Sequence, residues 1–186
     1  MKNNFLTPLV LLTALCAAIS LMSCEFGVNP LLFDGPPVGA NFTASTPGAL
    51  YADSTAISLH QFLMGVENNV DSISVINISL QIDSLNNGTL ASTTLSGIGS
   101  IDGTPLLTLN HVPLSEFASE RSIFDPALAS TGATSNPAGA RYIDNVLKHP
   151  ESMPASIMIK ISGNASRSGL YFKAHLKLYT QVFLKK

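Results

Sequence analysis

The stretch LYFKAHLKLY, residues 170–179, alternates apolar and polar side chains without interruption. Successive side chains of a β-strand point to opposite faces of a sheet, so this pattern predicts a strand with one buried and one solvated face. The alternation continues through Val182 and Leu184, and we therefore expect one long strand here. Its polar side carries phenol and basic groups: Tyr171, Lys173, His175, Lys177 and Tyr179. This row either lines a ligand-binding face or is simply the solvent-exposed face of a sheet.

Weaker period-two patterns, bounded by turn residues, precede this strand. Strands are predicted at residues 57–64, 72–84, 89–95, 106–112 and 156–162. In the second of these, the apolar residues change parity at Val75 and Ile76, which predicts a β-bulge there or burial on both faces. Residues 86–88, Asn-Asn-Gly, predict a hairpin turn, and Asp102-Gly103 predicts a second turn, because these residue types tolerate a positive φ.

A long insertion, residues 113–155, separates two of the predicted strands. Asn136 and Pro137 offer an N-cap and a first helical residue, and apolar residues then follow a 3.6-residue period. The insertion is too apolar for disorder, so we expect it to be ordered, with a short helix near residues 137–148. Packed across an end or edge of the sheets, this helix would hide unpaired strand groups. Its junction with the strands is where we expect any binding surface first.

Several short strands with turn signals and little helix predict a mainly β fold, an antiparallel β-sandwich. The chain of 186 residues is long enough for one domain with a sizeable core, which we assign to residues 41–186. The strand pattern resembles that of an immunoglobulin-like sandwich, a type common on lipoprotein tethers. This resemblance is one of architecture, and a fold does not fix a function.

Composition excludes several classes of protein. Charged residues make up 12% of the chain, about half of the usual share of roughly 25%. The formal net charge of -2 provides no basic field that would attract nucleic acid. Hydrophobic residues, at 46%, are too frequent for a disordered chain, and two cysteines are too few for a disulfide scaffold.

The beginning of the chain has the layout of a secretory signal peptide, which we assign to residues 1–23. Lys2 gives a positive start, and a mostly apolar run follows over residues 5–22. The run ends in Leu21-Met22-Ser23-Cys24, which resembles the bacterial lipobox. This resemblance implies that Cys24 is acylated, becomes the first residue of the mature chain and anchors it in a membrane. Because two or more acyl chains hold a protein stably, the membrane is the expected partner.

Two other interpretations of this segment remain open. The apolar run could just span a bilayer as an uncleaved anchor. Cleavage before Cys16 is disfavoured, because the preceding Leu15 is not small.

With Cys24 lipidated, the mature chain has no other thiol for catalysis or metal binding. Glu25 stands where a retention signal for the inner membrane would have Asp, so we expect a lipid-anchored protein of the cell envelope, with the outer membrane favoured.

Residues 24–40 are rich in Pro and Gly, so no helix or long strand is expected there, and we predict a tether. In Asp71-Ser72-Ile73 and Asp83-Ser84-Leu85 the chain resembles the short acceptor pattern of a bacterial general O-glycosylation system. That resemblance implies that Ser72 and Ser84 are possible modification sites.

Residues for catalysis or metal binding form no recognisable motif. His60, His111, His149 and His175 lack metal-ligand spacing, and no Gly-x-Ser-x-Gly elbow occurs. We therefore predict no catalytic residues, no metal and no cofactor. In the insertion, Glu116, Glu120, Arg121 and Asp125 cluster. They represent either a catalytic pair or a solvated loop with local ion pairs.

These observations favour a non-enzymatic, membrane-anchored lipoprotein of the cell envelope that binds or scaffolds an unknown envelope protein or an apolar ligand. One alternative is a carrier of lipid or another apolar ligand in a cleft between the sheets, which needs a cavity of a few hundred Å³. A second alternative is a hydrolase with its site in the insertion, residues 113–155.

Overall fold

Two five-stranded antiparallel sheets enclose the core of the protein in the computed structural model, which describes residues 32–46, 48–63, 67–84 and 92–185. The first sheet contains β1 (Leu32–Asp34), β2 (Val38–Thr46), β4 (Val70–Ser84), β7 (Arg121–Ser122) and β10 (Leu170–Leu184). The second sheet contains β3 (Leu50–Ser58), β5 (Thr94–Ile101), β6 (Thr104–Pro113), β8 (Ala133–Ser135) and β9 (Ser156–Ala165). One α-helix, α1 (Pro137–Leu147), and short 3-10 helices at Leu59–Phe62, Glu67–Asn69, Leu114–Phe117, Pro126–Thr131 and Pro150–Ser152 complete the described elements.

The strands pair as nested hairpins. The innermost pair is β5 with β6, followed outward by β4 with β7, β3 with β9 and β2 with β10. These pairs alternate between the sheets, and the further pairings of β10 with β4 and of β9 with β5 join them. A long hairpin wound in this way is a double-sheet jelly roll.

The predicted β-sandwich is therefore confirmed, but its strand order is not immunoglobulin-like. An immunoglobulin-like sandwich has its last strand at the edge of a sheet. Here β10 lies in the middle of the first sheet, between β2 and β4. The alternating pattern could not reveal this, because every antiparallel sandwich with two packed inner faces shows the same alternation.

Strand β10 confirms the prediction from residues 170–179. Its apolar side is buried against the second sheet as part of a single core: Leu170, Phe172, Ala174, Leu176, Leu178 and Val182. Strand β4 contains the predicted bulge, because Tyr179 pairs with Asn77 whereas Thr180 pairs with Val75. Ile76 is the extra residue and is 50% exposed.

Two turn predictions had different outcomes. Asp102 and Gly103 form the tight turn between β5 and β6, with φ of 45° and 82°. The turn predicted at residues 86–88 lies outside the described residues. Its flanking strands are not a hairpin, because β4 belongs to the first sheet and β5 to the second. The strand predicted at 57–64 is also wrong beyond Ser58, where β3 ends and a 3-10 helix follows.

The insertion between β6 and β9 is ordered and contains the predicted helix. The side chain of Asn136 caps α1 by accepting a hydrogen bond from the Ala138 N–H at 2.9 Å. Ile143 and Leu147 are buried, and the helix contacts β4, β5 and β6. Because β7 and β8 occupy an edge of the first and second sheet respectively, the insertion closes one side of the sandwich.

The prediction that residues 24–40 form a tether is wrong for part of that range. Residues 24–31 lie outside the described residues, as do the signal peptide at 1–23 and Cys24 within its lipobox. Residues 32–34 and 38–40 belong instead to β1 and β2, which pair with β10. The Gly-Pro-Pro sequence at residues 35–37 separates the two strands but is compatible with their pairing to β10, because an edge strand is hydrogen-bonded on one side only.

Candidate functional site

The outer side of β10 carries a continuous row of polar and aromatic side chains. We call this row and its neighbours the β10 face. It comprises Asn41 from β2, Gln81 and Asp83 from β4, Glu120 from the insertion, and Tyr171, Lys173, His175, Lys177 and Tyr179 from β10. From Tyr171 to Tyr179 the row is about 26 Å long, at roughly 3.3 Å per strand residue.

His175 is held from both sides in the middle of the β10 face. The pairing register places it between Asn41 and Gln81 on the neighbouring strands. Its Nδ1 lies 2.7 Å from Asn41 Oδ1, and its Nε2 lies 3.1 Å from Asp83 Oδ2. The Gln81 amide also donates to Asp83, at 3.3 Å. The imidazole therefore has a fixed orientation, and each of its nitrogens already has a protein partner.

Glu120 organises the other half of the β10 face. Its carboxylate accepts hydrogen bonds from the Ser79 hydroxyl at 2.6 Å, from the Lys177 ammonium and from the Tyr179 hydroxyl. The bond from Lys177, and then those from Ser79 and Tyr179, lower the pKa of Glu120 to about 2. The same contact raises the pKa of Lys177 and of Tyr179. Glu120 is thus ionised at neutral pH and is unsuited to act as a general acid.

The Glu120 pairing predicts a specific loss of stability in acid. A depressed pKa in the folded state means that the contribution is present above the ordinary value of 4.5 and is lost as the pH falls toward about 2. We expect Glu120→Gln to flatten the pH dependence of the free energy of unfolding in this window, by on the order of 1 kcal/mol for a partly exposed pair. Urea unfolding at a series of pH values measures this. Glu151→Gln, on an exposed carboxylate, is the control, and equal effects of the two substitutions would contradict the pairing.

The acidic cluster of the insertion divides into two groups. Glu120 faces β10, whereas Glu116 and Asp125 both bind Arg121, the latter at 2.9 Å. The Ala127 N–H and the Arg121 guanidinium lower the pKa of Asp125, and the bond to Asp125 raises the pKa of Arg121. These contacts support local ion pairing rather than a catalytic pair of carboxyl groups.

The remaining histidines lie apart from the β10 face. The His111 N–H donates to Ser96 Oγ at a bulge in β6, with φ of 55°, and His149 lies 3.6 Å from Glu151. Among residues 32–46, 48–63, 67–84 and 92–185, no three His, Cys, Asp or Glu residues are grouped closely enough to hold a metal. No helix in this part of the chain is long and apolar enough to cross a membrane.

The space between the sheets is small. An apolar cavity of about 40 Å³ lies among Phe42, Leu80, Ile159 and Phe172. A buried water needs roughly 10–15 Å³ of such space, so the cavity has room for a few water molecules at most. Its volume is far below the few hundred Å³ that a carrier of an apolar ligand requires.

The junction of α1 with β4 forms an open cleft of about 240 Å³, which Phe124 and Arg141 help to line. Its carboxylate, Asp144, is already used. It accepts hydrogen bonds from the Ser74 hydroxyl at 3.0 Å and from the Val75 N–H at 3.1 Å. The cleft is therefore best explained as the place where the helix is fastened to the bulge of β4.

The two predicted modification sites lie at opposite ends of β4. Ser72 is half-buried and lines an open cleft with Asp71, Lys148, His149, Glu151 and Lys185. Ser84 is the last residue of β4, and its side chain lies outside the described part of the structure.

No family model matches the chain, and no curated protein matches it. Its fold is similar to viral capsid structures at low identity. The decameric BFDV capsid protein is 12% identical with a TM-score of 0.33, over 81% of this chain and 99% of that one. Turnip yellow mosaic virus is 9% identical with a TM-score of 0.36, over 85% and 96%. The Macrobrachium rosenbergii nodavirus particle is 11% identical with a TM-score of 0.31, over 83% and 96%. These likenesses carry no argument about function.

Proposed function

We propose that the protein is a lipid-anchored, non-enzymatic binding module of the cell envelope and that its binding surface is the β10 face. The lipobox supports the anchor at Cys24 and, with Glu25, an outer-membrane location. The paired carboxylates of the insertion and the small interior cavity favour surface binding over hydrolysis or transport of an apolar ligand.

The difference between the two outer faces carries this proposal. On the second sheet, the exposed outward side chains of β3, β5 and β9 are mostly small or apolar: Leu50, Ala52, Ser54, Ala56, Ile98, Ser156, Met158, Lys160, Ser162 and Asn164. Lys160 is the one charged group in that set. The β10 face instead concentrates amide, carboxylate, imidazole, ammonium and phenol groups, and hydrogen bonds among Asn41, Asp83, Glu120, His175, Lys177 and Tyr179 hold these six in place. Such preorganisation reduces the entropy that binding would otherwise lose.

The chemistry of the β10 face suits an uncharged ligand with many hydroxyl groups, such as a glycan. Its two lysines are balanced by Asp83 and Glu120, so it has no charge excess to select an ion. Donor groups of the row lie beside acceptor groups of Asn41, Asp83 and Glu120, and phenol rings at both ends provide apolar surface. The Tyr171 hydroxyl and the Lys173 ammonium have no hydrogen-bond partner among the described residues and are available to a ligand.

Binding of neutral oligosaccharides tests the proposed surface. We expect glucose- or mannose-based oligomers to bind the purified chain in calorimetry, and a Tyr171→Ala/Lys173→Ala variant to weaken binding about tenfold or more, the equivalent of 1.4 kcal/mol. Lys160→Ala, on the opposite sheet, is the matched control and should bind normally. Absence of binding to all these oligomers, or an equal loss with Lys160→Ala, would remove the β10 face as a glycan site.

The anchor is tested separately by mass spectrometry of the chain isolated from a bacterial membrane. We expect a mature N-terminus at an acylated Cys24, and Cys24→Ala should leave the precursor uncut. An unmodified Cys24, or a mature chain that starts elsewhere, would contradict the lipoprotein proposal.

A further inference from the structure

At one end of β10 the outer face changes from polar to apolar. Leu32 of β1 pairs with Phe183, and Ser72 of β4 pairs with the same residue from the other side. Leu32 and Phe33 are 50% and 37% exposed, and Phe183 and Leu184 are half-buried. Leu32 and Phe183 lie on the outer side of the sheet, whereas Phe33, which pairs with Val182, and Leu184 lie on its inner side. Together these four residues, which we call the β1 end, give this end of the sheet an apolar rim. Exposed apolar groups that cluster in this way mark an interaction surface more often than scattered ones do.

The position of the β1 end relative to Cys24 limits what can cover it. Leu32 is eight residues after Cys24, so the two Cα atoms are at most about 29 Å apart even in a fully extended chain. Strand β10 has 15 residues and is about 50 Å long, so the chain that follows Cys24 joins the sandwich at one end of β10, and Leu170 lies at the opposite end. The exposed apolar edge is at the end where the chain joins.

We propose that the β1 end docks on the lipid bilayer that holds the acylated Cys24, and this proposal rests on the lipid anchor proposed above. Leu32 and Phe33 enter the boundary between headgroups and acyl chains, as apolar side chains of interfacial proteins do. Lys148 and Lys185 border the neighbouring open cleft of about 440 Å³, where Asp71 and Glu151 balance their charge. The contact is therefore mainly apolar and does not require anionic lipid.

Docking at this end determines the orientation of the β10 face. Strand β10 then runs away from the bilayer, and Tyr171 stands about 40 Å from Phe183, at roughly 3.3 Å per residue. The proposed glycan site then extends away from the bilayer along the side of the sandwich and does not contact the lipid. A glycan on Ser72 would occupy the docking end, so peptide mass spectrometry that locates a hexose on Ser72 would overturn this orientation.

Single tryptophans test the proposal, because the chain contains none. The full chain, purified with Leu32→Trp, Phe33→Trp or Leu50→Trp, is placed in vesicles of phosphatidylethanolamine and phosphatidylglycerol with brominated acyl chains. Leu50 is the matched control because it is 74% exposed and lies at the far end, where β2 turns into β3. We expect bromine to quench the tryptophan at position 32 or 33 at least about threefold more than the one at position 50.

The outcomes separate docking from anchoring. If the chain floats with the vesicles but all three tryptophans are quenched equally, docking is overturned and the lipid anchor stands. A blue-shifted but unquenched tryptophan at positions 32 and 33 would mean that protein covers the β1 end, which also overturns docking. If the chain does not float and Cys24 is unmodified, both proposals fail. Two reporter positions are used so that one misfolded variant does not decide the result.

Discussion

Replacement of Leu176 by aspartate should strongly destabilise the protein. Leu176 is 5% exposed on the inner side of β10, and it lines a cavity of about 40 Å³ whose walls are almost entirely apolar and offer a carboxylate no partner. An unpaired charge at such a site costs about 4 kcal/mol or more, against a total stability of about 5–15 kcal/mol for a typical domain. Thermal unfolding followed by circular dichroism should show a strongly lowered midpoint or no transition.

The matched control lies three residues away on the other side of the same strand. Lys173 is exposed and has no partner among the described residues, so Lys173→Ser should change stability by less than about 0.5 kcal/mol. Equal shifts in the two variants would mean that β10 is buried on both sides. His175 is a poorer control, since a carboxylate in its place would lie beside Asp83.

Much of the local structure could be predicted because it depends on neighbouring residues. The period of two in β10 reports which side of a strand is buried, and the change of parity at Ile76 reports the extra residue of the bulge. Likewise, Asn136 and Pro137 specify where α1 begins. Strand order depends instead on contacts between distant segments. The alternation of β4 and of β5 is therefore compatible with a hairpin between them, although the two strands lie in different sheets.

The same distinction applies to the β10 face. The row from Tyr171 to Tyr179 was readable as one side of a strand. Its partners Asn41 and Asp83 were not, because the register of β2 and β4 against β10 decides which side chains meet. Glu120 is the clearest case. Its neighbours in sequence suggested a cluster with Arg121, yet it binds Lys177, which is 57 residues away along the chain.

A pair of facing glycines makes the second sheet sensitive to very small changes. Gly163 of β9 pairs with both Tyr51 of β3 and Gly97 of β5. The Tyr51 ring lies across both glycines, its hydroxyl approaches the Ser96 carbonyl at 3.4 Å, and burial raises its pKa to about 12. Phe172 from the first sheet packs edge-on against this ring, with centroids 5.6 Å apart. The absence of side chains at the two glycines thus makes room for the aromatic contact between the sheets.

We therefore expect Gly163→Ala to destabilise the protein by about 3 kcal/mol or more. The new Cβ would lie 2.0 Å from the Ser96 carbonyl oxygen and 2.7 Å from the Tyr51 hydroxyl, so a backbone strand must move as well as a side chain. Gly99→Ala on β5 is the control, because its Cβ would lie 3.8 Å from the nearest atom, in ordinary contact with Leu107. That substitution should be neutral or stabilising by up to about 1 kcal/mol, since alanine loses less backbone entropy than glycine on folding. Urea unfolding of both variants provides the comparison, and a Gly163→Ala protein as stable as Gly99→Ala would show that Tyr51 does not lie across β9 and β5.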